Sequence, residues 1–318
     1  MLAASFTLLI CIGLELNSTI LKRKISAYVV GDTIMFKTAL VAIDLPEFFT
    51  GFSPLLACLP ELKHWGIERI ILMHSTHATL GKGSCSAMQN FCTEELENHA
   101  NVLRETNYWV KTVVRCSSDP TKDILLVASE MDADLIVIGS RSENLLSDIF
   151  LGSVARSVIR NTTLPLLLEW LGPSPDGTPE GSGNICANKL RKVLLATDFS
   201  SRAQEAERMA ERLANNSSRI DCLHVMTDRQ REAIPAWPIM AKAALLNVAE
   251  GLRKQHTESM EILDEGIPAS TITKVATANE YSMIILGKHG QNWFENMIIG
   301  STAQHVCETS MLPVLMVP

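Results

Sequence analysis

The chain has 318 residues, 47% hydrophobic and 20% charged, with 28 basic against 35 acidic side chains and a formal net charge of −7. This is a globular composition on a chain long enough for two domains, and it excludes the disordered class. The negative balance leaves no basic footprint for nucleic acid and argues against anionic membrane surfaces as partners.

In chain order, the apolar run over residues 2–14, LAASFTLLICIGL, is shorter than the roughly 20 residues that span a bilayer. No Lys or Arg precedes it and no convincing small-residue cleavage site follows, so a signal peptide or anchor is the minority reading, and residues 1–34 are read as a tail or as an upstream over-extension of the reading frame. A folded domain is expected to open at Met35, where the sequence reads MFKTALVAID. Short apolar runs bounded by turn signals then predict buried parallel strands over 38–43, 69–74, 110–115, 134–138 and 164–168. Residues 172–188, which include GPSPDGTPEGSGN, are rich in Gly, Pro and Ser and are read as a linker. A second series of strands is predicted over 192–197, 219–225, 260–264, 282–286 and 312–317. Helical periods separate the runs, as in Ala203–Ala214, where Ala206, Met209, Ala210 and Leu213 share one face.

The two series are copies of one another. Ala133–Gly139 matches Tyr281–Gly287 at an offset of 287 − 139 = 148, and the same offset relates Gly152-Ser153 to Gly300-Ser301, Pro120 to Pro268 and Pro165 to Pro313. Leu40–Asp44 matches Leu194–Asp198 at an offset of 154, a six-residue excess that loops in the first copy can absorb. The division is therefore a repeat over 35–171 and another over 189–318. Each is expected to be an α/β domain with a doubly wound, five-stranded parallel sheet, its ligand beyond the carboxyl ends of the strands.

The eight cysteines, at 11, 58, 85, 92, 116, 186, 222 and 307, include no C-x-x-C pair, so no zinc-type metal site is expected. Cys116, Cys222 and Cys307 lie in apolar segments and are expected to be free core thiols, which points to a reducing, cytoplasmic compartment. His74 and His224 end the second strand of each repeat and are read as packing residues, and His289 as a solvated loop residue. No Ser/His/Asp trio has nucleophile spacing, so no catalytic residue is assigned.

After the fourth strand of the second repeat comes Gly287-Lys288-His289-Gly290, and after nine intervening residues Gly300-Ser301-Thr302 opens a helix. Glycine permits close approach and positive φ, and a helix start offers free N–H groups and a positive dipole end suited to phosphate. Asp198 closes the first strand of the same repeat.

This G-x2-G-x9-G-[ST] pattern, with the Asp, resembles the ATP-binding subclass of the universal stress protein family, over most of 36–170 and 190–318. The resemblance implies a Rossmann-like, adenine-nucleotide α-hydrolase-like fold and ATP as ligand, with or without magnesium. It implies contacts from Asp198, Val225, Gly287, Gly290, Gly300, Ser301 and Thr302. In the first repeat Asp44, Gly139, Gly152 and Ser153 match, but Ser142 stands where Gly290 stands, so that site is expected to be weaker. If this position requires a left-handed φ, the serine costs about 1–2 kcal/mol, and its Cβ could also block the approach of backbone to phosphate.

The resemblance also implies pairing of such terminal strands between subunits. Here the tether favours an intramolecular pseudo-dimer, with further homodimerisation open. The leading reading is an ATP-binding stress-response or regulatory protein with slow hydrolysis or none. A nucleotide-hydrolysing or nucleotide-transferring enzyme of the related folds is expected to carry H-x-G-H or S-G-G-x-D/S after its first strand, where this chain has Asp198-Phe199-Ser200-Ser201. An interaction scaffold with decayed sites is the third reading, disfavoured by the complete glycine set of the second repeat.

Overall fold

The structure, a computed structural model, describes residues 36–45, 54–76, 85–140, 151–171, 188–290 and 298–318. Ser142 lies outside them. In the first repeat β1 (Thr38–Ala42) leads to the short helix α1 (Pro54–Ala57), a 3₁₀ turn (Pro60–Trp65) and β2 (Arg69–Thr76). Then come α2 (Cys85–Glu105), β3 (Trp109–Cys116), α3 (Pro120–Glu130), β4 (Leu135–Ser140), α4 (Ser153–Asn161) and β5 (Leu166–Trp170). The second repeat runs β6 (Lys192–Ala196), α5 (Ala203–Ala214), β7 (Arg219–Met226), α6 (Asp228–Ala233), α7 (Trp237–Arg253), β8 (Glu261–Glu265), α8 (Pro268–Ala278), β9 (Met283–Gly287), α9 (Ser301–Thr309) and β10 (Val314–Val317).

All ten expected strands form. β5 and β10 start two residues later than the sequence reading, at Leu166 and Val314, just after Pro165 and Pro313. A proline has no N–H for a ladder. The carbonyls of these two prolines still accept, from Ile136 and Ile284, each at 3.0 Å. The other repeat landmarks also fall at matching places. Pro120 and Pro268 open α3 and α8, and Gly152 and Gly300 are the N-caps of α4 and α9, at φ −64 and −70.

The strands join one ten-stranded sheet in the order β3-β2-β1-β4-β5-β10-β9-β6-β7-β8. Within each repeat neighbours are parallel, so helices cover both faces. The repeats meet where β5 and β10 pair antiparallel, with Val314 opposite Leu168, Leu315 opposite Leu167 and Met316 opposite Leu166. The chain is thus an intramolecular pseudo-dimer in which each sticky terminal edge covers the other. Alternate side chains serve two cores: Ala39, Val41, Val193 and Leu195 pack on one face, and Leu40, Leu194, Ile284 and Met316 on the other. Helix α5 buries the expected stripe, Ala206, Met209, Ala210 and Leu213.

Cys222 and Cys307 are free and buried, and burial pushes each thiol up to about 12. Cys116 departs from the sequence reading: it is disulfide-bonded, as is Cys58. Cysteine usage therefore no longer argues for a reducing compartment. Among the described residues no helix is long and apolar enough to cross a membrane.

Candidate functional site

In each half of the sheet the first and fourth strands lie side by side while their crossovers go to opposite faces, which leaves a crevice at their carboxyl ends. In the second repeat that crevice, between β6 and β9, is a cavity of about 420 Å³, within the range of small-molecule sites. It is lined by Asp198, Val225, Gly287, Gly290, Gly300, Ser301 and Thr302, all seven residues that the motif and the resemblance singled out in this repeat. Ala196, Leu223, Leu286, Pro268 and Ile272 give it an apolar part. The start of α9 and the loop after β9 give the polar part.

The turn after β6 is held by its own side chains. Asp198 Oδ1 accepts the N–H of Ser200 at 3.1 Å, and Ser200 Oγ accepts that of Ala203 at 3.2 Å as α5 begins. Asp198 thus shapes the turn and also faces the cavity. Between them Phe199 sits at φ 61, in the left-handed region that costs an ordinary residue about 1–2 kcal/mol. Its N–H donates to Thr197 Oγ1 at 3.1 Å and its ring packs on His224 with centroids 4.6 Å apart.

The glycines are needed for close approach and not for unusual φ. Only Gly66 and Gly266 have positive φ among the described glycines, so of the two grounds for a glycine at position 290 the left-handed one falls and close approach remains. A Cβ on Gly290 would fall on the Asp198 carboxylate, whose Cγ lies 3.4 Å away. One on Gly287 would press on the His289 carbonyl oxygen at 3.3 Å and the Ala203 Cα at 3.6 Å, and one on Gly300 on the Lys288 carbonyl oxygen at 3.3 Å. The glycines bring strand end, loop and helix start together into one cradle. The N-cap Gly300 offers no side-chain cap, so the first N–H groups of α9 have none from it.

Several lining residues escaped the sequence reading. Thr227 and Gln230 form a capping box that starts α6 along one wall, and the T-x-x-Q spacing could have shown it. Arg229, His224, Lys288 and His289 line the cavity as well. His289 is half-buried, not fully solvated, and burial, with Lys288 and Arg202 nearby, holds its imidazole below the usual range. Behind the wall, Thr197 Oγ1 donates to Glu207 Oε1 at 2.5 Å, and burial raises the Glu207 carboxyl.

His224 packs, as expected, and so does His74, whose Nδ1 lies 3.0 Å from the Ile43 carbonyl oxygen. His224 Nδ1 is 2.9 Å from the Thr197 carbonyl oxygen, and Nε2 accepts the Trp237 indole N–H at 3.3 Å. These partners require the neutral Nδ1–H tautomer, and burial lowers the imidazole pKa. The unfolded chain then takes up a proton first as pH falls, so this contribution to stability is lost below the ordinary histidine value. We expect the melting temperature to fall between pH 7 and 5 more steeply in the wild type than in His224→Gln. Equal slopes would mean that the charged ring is accommodated.

In the first repeat Asp44 is exposed after β1, Gly139 lies in β4, and Gly152 and Ser153 are exposed at the start of α4. A Cβ on Gly139 would meet side chains, with Leu171 Cγ at 3.2 Å and Leu55 Cδ2 at 4.0 Å. The cavity draws on none of these residues. Among the described residues no group of three or more His, Cys, Asp or Glu side chains could hold a metal ion.

The sequence model of the Universal stress protein family matches residues 69–168 and 189–318. Universal stress protein G of Salmonella typhimurium is 43% identical over 143 residues, 42% of this chain and 99% of that protein. A universal stress protein of Mycolicibacterium smegmatis is 22% identical over 244 residues, 71% of this chain and 78% of its own length. The crystal structure of a universal stress protein from Archaeoglobus fulgidus covers 90% of this chain and 97% of its own, with a TM-score of 0.69 at 21% identity, and shares the fold.

Proposed function

This chain belongs to the universal stress protein family, and we propose that within it the protein is a stress-response regulator that binds ATP in its second repeat. The observation that carries this is the convergence of all seven second-repeat motif residues on one cavity. The apolar part suits an adenine ring. The uncapped start of α9, the Ser301 hydroxyl and the adjoining glycine loop supply N–H and O–H donors for a triphosphate. A magnesium ion, where present, would offset phosphate charge beside Asp198.

Binding rather than turnover fits the side chains at hand. Both ring nitrogens of His224 are engaged, and Glu207 is held by Thr197 behind the wall. Neither is placed to activate a water, and ATP is expected to be hydrolysed slowly or not at all.

Calorimetric titration of the full chain tests this. About one ATP per chain is expected, because the sequence carries the full glycine set in the second repeat alone. The nucleotide should be recovered intact afterwards. Two equal sites, or no heat of binding, would sink the reading, and rapid release of phosphate would favour the enzyme alternative.

A further inference from the structure

We propose that Lys288 is a positioning residue through which the first repeat holds the phosphate-facing loop of the second. The proposal rests on reading the cavity as an ATP site. Lys288 lies between the two glycines of the loop, and only 5% of it is exposed. Its Nζ donates to the carbonyl oxygens of Arg160 at 2.8 Å and Thr162 at 2.7 Å. These lie at the carboxyl end of α4, where carbonyls lack intrahelical partners and the helix dipole is negative, so a cation is favoured there.

The backbone of Lys288 closes the other side. Its N–H donates to the Val317 carbonyl at 2.6 Å, and its own carbonyl accepts the N–H of Gly300 at 2.9 Å. One residue therefore ties together β10, the glycine that starts α9, and a helix of the other repeat. Burial lowers the Lys288 amine to about 8, and the two carbonyls offset that cost. A role as a direct phosphate ligand fits poorly, because the amine is committed to α4.

The first repeat serves as an internal control. At the 148-residue offset the place of Lys288 is taken by Ser140, which is buried and carries no cation. The lysine that lets the first repeat brace the site of the second thus has no counterpart at the matching position of the first repeat.

The test uses the full chain with Lys288→Met, which keeps an unbranched apolar stem and removes the donor, and Lys288→Arg, which keeps a cation. Hydrogen exchange is followed at the Gly290 and Gly300 amides without nucleotide, ATP affinity by calorimetry, and overall stability by melting. We expect Lys288→Met to speed exchange at these amides about tenfold and to weaken ATP binding about tenfold, as a locally loosened loop should. Lys288→Arg should restore most of both.

Unchanged exchange and affinity in Lys288→Met would overturn the proposal. So would lost affinity with unchanged exchange, which would make the amine a direct phosphate contact, or an Arg variant as impaired as the Met variant. If the wild type binds no ATP, the reading of the cavity is wrong. The exchange comparison then decides the anchor alone: faster exchange supports it and unchanged exchange overturns it. Should Lys288→Met melt far below the wild type, Lys288→Arg and the wild type still decide through the same two readouts.

Discussion

Gly290→Val is expected to weaken ATP binding about 100-fold or more while leaving the fold intact. The backbone at Gly290 is not left-handed, so valine meets no left-handed penalty there. What it meets is the carboxylate of Asp198, directly over the Cα. To make room, Asp198 must swing away, which breaks its 3.1 Å bond to the Ser200 N–H, or the loop must lift from α9. Either movement displaces two walls of the cavity at once. Losing two placed contacts of about 1.4 kcal/mol each gives the hundredfold figure. Gly290→Ala should fall between, because a single methyl asks for a smaller shift. Calorimetric titration of the three proteins, with melting curves as the control for folding, decides it. Undiminished binding in Gly290→Val would mean that the approach of Asp198 to this glycine has no bearing on the ligand.

The same residue shows how far the sequence could be read. That Gly290 matters was visible from spacing, since the glycines and Gly300-Ser301 recur after a strand and before a helix. Why it matters was not, because the clashing atom belongs to Asp198, 92 positions away. The central strands were legible because both faces are buried and the apolar runs are continuous, whereas the edge strands β3 and β8 are only partly buried. The pairing of β5 with β10 was legible too, because both repeats end in an exposed-looking apolar strand on one tether. Lys288 and Lys189 were not. Each sits among polar neighbours, in Gly-Lys-His-Gly and Asn-Lys-Leu-Arg-Lys, and reads as a solvated charge. Their burial comes from the other repeat, and local periodicity carries no information about a partner beyond its own element. Thr227 and Gln230 were legible in principle, since a capping box is a local pattern.

Lys189→Met is expected to destabilise the protein by about 3–5 kcal/mol, the range for removing one partner from a buried ion group. The Lys189 side chain is fully buried, and its Nζ lies 3.0 Å from Glu61 Oε2 and 3.2 Å from Glu169 Oε1. Its backbone N–H also donates to Glu61 Oε1. Both carboxylates belong to the first repeat and the lysine to the start of the second, so the group spans the junction. Glu169 is wholly buried on β5, and burial raises its carboxyl pKa against the opposing pull of Lys189. Without the lysine that carboxylate has lost its counter-charge, and its pKa must rise further. An acid whose folded pKa exceeds its unfolded value binds more protons when folded, so stability falls as pH rises through that window. The Lys189→Met variant should therefore recover stability as pH is lowered from 7 toward the ordinary carboxylate range, more than the wild type does. Adding Glu169→Leu should restore most of the loss at pH 7, because the stranded charge is then gone. Denaturant unfolding of the wild type and both variants at pH 7 and 5 measures all of this. A loss below about 1 kcal/mol would place this lysine among ordinary surface pairs and show that the junction does not depend on it.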